Sequence, residues 1–268
     1  MGTSTGYDFS SRVSPRELPE LMDGECSYGD FRGCLRSLEQ INRLLLGYRP
    51  TLAWLRRLPR GLLEPMHIVD VGCGGGDLLR QVARWARRRD IAVQLTGIDL
   101  NPHAARVAAE STPGEVGITW VTGNVLEYRP EKPVDIVLSS LTAHHLEDEE
   151  IVVLLRWMEA TAQVGWFIND LERSEWSSRM FRWVERVMGW HRFVEHDAPV
   201  SFRRAFLRED WVRLLTAAEV PLAAVTVERW RPGRLCVGRW TRSGSGERPS
   251  ATTSREFVPV QAEVHNQQ

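Results

Sequence analysis

Lysine is nearly missing from this chain: Lys132 is the only one, and arginine carries the rest of the positive charge. That skew points to coding bias and says nothing of chemistry. Cysteine is scarce as well. Cys26, Cys34, Cys73 and Cys236 show no metal-ligand spacing, so they read as reduced thiols of a cytoplasmic protein, and no metal site is expected. No apolar run approaches the roughly 20 residues of a membrane span, and the N-terminus lacks the apolar core of a signal peptide, so an integral membrane protein is not expected. A basic excess is absent too. The net charge of -1 argues against a nucleic-acid partner, which needs a basic face. What remains is a chain of 268 residues, 43% hydrophobic, long enough to bury one α/β core plus an insertion, and without internal repeats.

The most informative stretch is His67 to Asp77, HIVDVGCGGGD, where an apolar run stops at an acid and turns into glycines. Ile68, Val69 and Val71 read as a buried parallel strand. Gly72, Gly74, Gly75 and Gly76 allow a tight turn that side chains would block, and a helix from Leu78 to about Arg89 follows. Strand, glycine turn and helix place a ligand at the carboxyl edge of a sheet. The dinucleotide fingerprint GxGxxG fails, because the third glycine would fall on Asp77. The same segment fits D-x-G-x-G-x-G without a gap as Asp70, Gly72, Gly74 and Gly76, and this resembles motif I of the class I S-adenosylmethionine (SAM) methyltransferases. SAM carries no pyrophosphate, so the turn needs open backbone against the amino-acid tail, and Asp70 would accept from the ammonium or an ordered water.

Further strands follow at Val93–Ile98, Ile118–Val121, Val134–Ser139 and Val164–Asp170. Asp99 ends the second strand, where a carboxylate forms paired hydrogen bonds with a ribose. Asn124 stands after the third strand, where methyltransferases usually carry Asp for the adenine amino group; its side-chain oxygen can accept but is neutral. The resemblance thus implies SAM as cofactor, held by Asp70, Gly72, Cys73, Gly74, Gly76, Asp99, Leu100, Asn124, Val125 and Ser139. Ala224–Arg229 and Arg234–Arg239, joined by the turn Arg231-Pro232-Gly233, should form an antiparallel terminal hairpin. The expected fold is α/β, a Rossmann-like sheet of seven strands, six parallel plus an antiparallel last strand. An NAD-dependent oxidoreductase and a SAM-binding protein that does not methylate are the rival readings.

Residues 1–24 and 241–268 are polar and are expected to be disordered, flanking one methyltransferase domain at 25–240. Within it, 25–60 forms a helical cap, with Tyr28–Leu58 helical and interrupted by Pro50. An insertion at 172–205 forms a helical lid above the cofactor. Ser174 is its N-cap, and Trp176, Trp183 and Trp190, spaced by seven, align on one face.

A phenolic acceptor must lose a proton, and histidine is the usual partner at neutral pH. His196 beside Asp197, and His144 and His145 after the fourth strand in SSLTAHHL, are the candidate catalytic residues; adjacent histidines cannot both face one point on a regular element. His67, His103 and His265 are set aside. Arg203 and Arg204 either hold an anionic substrate or pair on the surface. LRSLEQINRLLLGYRP, INDLERS and HDAPVSFRRAF resemble a bacterial group of small-molecule methyltransferases associated with type III polyketide synthases. That resemblance implies a small hydrophobic phenolic or quinonoid acceptor and O-methylation in secondary metabolism, with C-methylation of a quinone-like ring as the alternative. Whether the protein is a monomer or a homodimer stays open.

Overall fold

The computed structural model of the protein describes residues 9–58, 65–188 and 190–241, without the side chains at 182–188. Two helices lead, α1 (Tyr28–Leu44) and α2 (Arg49–Leu55). The alternating part comprises β1 (Met66–Val71), α3 (Asp77–Arg87), β2 (Val93–Asp99), α4 (Pro102–Ser111), β3 (Ile118–Thr122), β4 (Val134–Ser140), α5 (Asp148–Thr161) and β5 (Ala162–Leu171). Then come α6 (Glu175–Met188), α7 (Arg192–Arg204), α8 (Arg208–Ala217) and the hairpin β6 (Val225–Trp230) and β7 (Arg234–Trp240).

The strands form one sheet in the order β3-β2-β1-β4-β5-β7-β6, in which β7 is antiparallel to both neighbours and the other strands are mutually parallel. This is the expected Rossmann-like methyltransferase sheet. Every residue of β1 is buried, as befits an interior parallel strand covered on both faces. One face packs against α5 and α8 through Ile151, Leu155, Trp211 and Leu215; the other packs against α2 and α3 through Trp54, Leu55, Leu79 and Val82.

Three expectations need correction. The leading helical run breaks at Leu46, whose φ of 56° ends the helix, and not at Pro50, which sits in the first turn of α2 where its missing N–H costs nothing. Residues 9–24 are not disordered: they form a strap across the carboxyl edge. Arg12 donates to Leu146 O at 2.6 Å, Arg204 O at 2.8 Å and Asp148 at 2.7 Å, and the Asp197 carboxylate accepts from Leu21 N at 2.8 Å and Met22 N at 3.1 Å. The polar side chains that suggested disorder are the ones that fasten the strap. The expected disorder at 1–8 and 242–268 lies outside the described residues.

The third correction concerns the insertion. Ser174 does cap α6, accepting from Ser177 N at 3.2 Å. The helix ends at Met188, however, so Trp190 lies beyond it; Trp176 is 61% exposed and Trp190 only 6%. The Trp183 side chain lies outside the described residues. The tryptophans therefore form no common lid face. Phe181, Trp190, Phe193 and Phe202 instead pack with Cys34 and Ile41 of α1, so the insertion supports the cap from outside.

Gly76 begins α3 in the left-handed region, at φ 72°, and an added Cβ would come within 2.2 Å of the Trp120 ring. Gly76→Ala should lower stability by about 2–4 kcal/mol through backbone strain and overpacking. Gly114, with nothing within 4 Å of its Cβ direction, should tolerate Ala with a change under about 1 kcal/mol. Urea denaturation midpoints of the two variants check the contrast.

Candidate functional site

A cavity of about 920 Å³ opens at the carboxyl ends of β1, β2, β3 and β4. Its floor is the glycine turn. Gly72 (φ 69°) and Gly74 (φ 48°) take conformations that side chains resist, and a Cβ on Gly72 would lie 2.2 Å from Thr142 Oγ1. Gly74 N–H donates to Asp99 Oδ2 at 2.8 Å, and Asn101 N–H to Oδ1 at 2.9 Å, so the backbone aims this carboxylate while each oxygen keeps a further lone pair. Burial raises the Asp99 pKa above the ordinary carboxylate value, against the pull of those two amides.

Asp70 lies deeper. It is 2% exposed, and its Oδ1 is buried without a hydrogen-bond partner. Burial, with Asp77 and Asp99 nearby, holds its carboxyl well above the usual range. A buried carboxyl left unmatched on the wall of a cavity is a built receptor for a cationic or hydrogen-donating group. An ammonium there, a diol at Asp99 and a flat ring beside the exposed Leu100 and the half-buried Val125 match the parts of SAM, so the residues fit that cofactor.

Three residues expected at the cofactor have other duties. Ser139 is 1% exposed and donates to Val71 O at 3.2 Å, which ties β4 to β1. Gly76 makes room for Trp120 and does not line the cavity. Asn124 does line it, but its Oδ1 already accepts from Leu126 N at 3.0 Å, capping the turn that follows β3. Cys73, Leu100 and Val125 also border the space.

Sequence reasoning expected the helical cap at 25–60 but missed the part of the roof that the strap supplies. Phe31, Leu35 and Leu38 of α1, with Pro15, Pro19 and Met22 of the strap, close the cavity from above. It also missed Asp77, which lines the floor and accepts from Tyr48 Oη at 2.6 Å and Asn42 Nδ2 at 3.1 Å, joining the cap to α3. An acid in the first helical turn after a glycine loop was the available signal.

The candidate histidines separate. His196 is exposed, with its side chain 53% accessible; it bonds Asp197 Oδ1 at 2.9 Å, and Asp197 is the strap anchor. Neither borders the cavity. His145 does, with Nδ1 2.6 Å from Asp23 Oδ1. Burial opposes its charged form, yet Glu20 and Asp23 outweigh that and raise its pKa to about 8. His144 lies just behind, 3% exposed, with Nδ1 2.6 Å from Asp170 Oδ1, and burial lowers its pKa despite that partner. Ala143–His145 is a single 3-10 turn and not an α-helix or strand, and both rings face the strap, with centroids 4.2 Å apart. His67 bonds Thr96 inside the sheet, and His103 packs on Tyr28 and Phe31. Arg204 is fully buried and neither free for an acid substrate nor on the surface.

Residues 68–165 match the sequence family described as "Methyltransferase domain". A trans-aconitate 2-methyltransferase of Klebsiella pneumoniae is 30% identical over 205 residues, spanning 75% of this chain and 74% of that one. A ubiquinone biosynthesis O-methyltransferase of Cupriavidus pinatubonensis is 27% identical over 56% of each chain. Against the Mycobacterium tuberculosis trans-aconitate 2-methyltransferase the match covers only 37% of that protein's length. In fold, human N-acetylserotonin methyltransferase in complex with SAM aligns with a TM-score of 0.58 at 14% identity, over 86% of this chain and 61% of that one. The glycine turn, the sheet order and the extent of the Klebsiella match together give one conclusion: this chain belongs to the class I SAM-dependent methyltransferases.

Proposed function

We propose that the protein transfers the methyl group of SAM to a small hydroxylated aromatic, phenolic or quinonoid, with oxygen as the acceptor atom. The single observation carrying this reading is the divided cavity: a polar floor at Asp70, Asp77 and Asp99, and an apolar roof that ends at His145. SAM supplies an electrophilic methyl carbon for in-line displacement. The protein's part is to hold the two reactants in line and dry, and to receive the hydroxyl proton. Asp99 and Asp70 bind the ribose and the ammonium. Phe31, Leu35 and Met22 shield the acceptor ring, and His145, held by Asp23, meets its hydroxyl; with its pKa raised to about 8 it receives the proton in its neutral form, so the rate rises with pH toward about 8.

Charge bears on the acceptor class. Asp23, Asp70, Asp77, Asp99, Glu147, Glu149 and Glu150 border the cavity, against Arg16 and His145 as its cationic side chains. A tricarboxylate such as trans-aconitate would be repelled here, whereas a neutral phenol would not. The ubiquinone relative, an O-methyltransferase by name, favours the same side. C-methylation of a quinone-like ring is the second reading, since deprotonating a ring hydroxyl also raises electron density on carbon.

Asp99→Ala should weaken SAM roughly 30- to 1000-fold, about 2–4 kcal/mol, as read by calorimetric titration. Tight binding of NAD with none of SAM would sink the cofactor assignment.

With labelled SAM and a panel of phenols, hydroxyquinones, trans-aconitate and tRNA, label should enter the phenols and hydroxyquinones, and product NMR should place the methyl on oxygen. Label mainly in trans-aconitate or tRNA refutes the acceptor class. His145→Ala should lower the rate by about 10²- to 10⁴-fold while SAM binding stays near wild type, and His196→Ala should leave the rate nearly unchanged.

A further inference from the structure

We propose that Glu20, His144 and His145 form a binding site for a divalent transition-metal ion of the Zn²⁺ type at the acceptor end of the cavity. The donor atoms, His144 Nε2, His145 Nε2 and a Glu20 carboxylate oxygen, all lie within 4.8 Å of one another. His144 Nε2 is 4.0 Å from Glu20 Oε1, and His145 Nε2 is 3.9 Å from Glu20 Oε2. Those separations are too long for hydrogen bonds, which close to about 3 Å. They are within the span of two metal–ligand bonds of about 2.0–2.2 Å each.

The surroundings of each donor match what a ligand histidine requires. His144 holds Asp170 through Nδ1 at 2.6 Å, and His145 holds Asp23 through Nδ1 at 2.6 Å. A carboxylate on Nδ1 keeps the proton on that nitrogen and turns a bare Nε2 toward the shared space, once per imidazole. Glu20 is oriented as well: its Oε1, on the His144 side, accepts from Ser201 Oγ at 2.8 Å and lies 3.2 Å from Arg204 Nη1, while its Oε2 faces His145, so the carboxylate spans the two imidazoles. Two imidazoles and one carboxylate suit Zn²⁺, Co²⁺ or Fe²⁺ rather than Mg²⁺ or Ca²⁺, which prefer oxygen donors alone. Arg204 is the opposing charge in contact with the cluster. Glu20, Asp23 and Asp170 are the carboxylates around it, and Arg12 and Arg234 act on Asp170 from farther away.

The site joins the strap, which brings Glu20, to the β4–α5 connection, which brings both histidines. An ion there closes the strap over the cavity and leaves coordination positions on the side where His145 borders it. Those positions take an oxygen ligand, and a hydroxylated acceptor supplies one. The purpose of the ion rests on the proposed acceptor; its existence does not.

The test uses the full chain without SAM or acceptor. Titration with Zn²⁺ and with Co²⁺ should show one high-affinity ion per chain, with Co²⁺ producing visible absorption bands. X-ray absorption of the Zn²⁺-loaded wild-type protein should show two imidazole ligands and no sulfur. Glu20→Gln and His144→Gln should each weaken Zn²⁺ by at least 10-fold, and Asp170→Asn, which acts through His144, by about 10- to 100-fold. His196→Gln and His103→Gln should leave Zn²⁺ affinity unchanged. Retained SAM binding in each variant reports an intact fold. The proposal is overturned if wild type binds no ion, if X-ray absorption shows fewer than two imidazoles, or if Glu20→Gln and His144→Gln bind as wild type does. With an ion on Nε2, His145 is a ligand and not the proton acceptor, so the proposed base role belongs to the metal-free protein; label transfer from SAM to phenols, measured with and without Zn²⁺, reads that reaction separately.

Discussion

A guanidinium with no access to solvent holds the upper half of this molecule together. Arg204 is 0% exposed, and a buried charge is tolerated only where its surroundings answer it. Its Nε donates to His144 O at 2.9 Å, and its Nη1 donates to Asp23 at 2.8 Å and faces Glu20 at 3.2 Å. Three segments distant in sequence therefore meet at one side chain: the strap, the connection after β4 and the end of the insertion. Removing the guanidinium would leave the buried Glu20 without the cation that faces it, and would leave the more exposed Asp23 with His145 as its remaining partner. The strap would then rest on its other anchors, Arg12 and Asp197 among them, and the strap's half of the roof would be less firmly held.

Below that roof the design is different. Positive-φ glycines bring bare backbone up to the ligand space, where the Asp70 carboxyl is buried and the Asp99 carboxyl is half-buried on the cavity wall. Burial makes their charged forms costly, so each is ready to gain from a donor group on the ligand. Preorganisation is thus paid on folding, through Gly74 N–H on Asp99 and Thr142 against Gly72, and the ligand meets a shaped floor.

The insertion illustrates how an element can serve a site without touching it. Its aromatic residues bury against the outer face of α1, whose inner face carries Phe31 and Leu35 into the cavity. Asp197 anchors the strap backbone at Leu21 and Met22, and Ser201 orients Glu20. Substitutions there would reach the cavity only through the cap and the strap.

The sheet and its cofactor floor were legible from sequence because both are local. Apolar runs, a glycine turn and an acid at a strand end are set by neighbours a few residues apart, and Asp70, Gly72, Gly74 and Asp99, singled out from them, do line the cavity. The helix break at Leu46 was less visible, since nothing forbids leucine from helices. The end of the cavity at His145 was not legible, because it is made by contacts between residues 60 to 181 positions apart: Glu20 with Ser201, Asp23 with His145, His144 with Arg204. Sequence alone presented His196-Asp197 as a pair on account of adjacency, yet Asp197 faces the strap and His196 faces solvent. Which histidine reaches the cavity depends on how the turn after β4 packs beneath the strap, and only the folded chain decides that, since burial and long-range pairing have no periodicity to read.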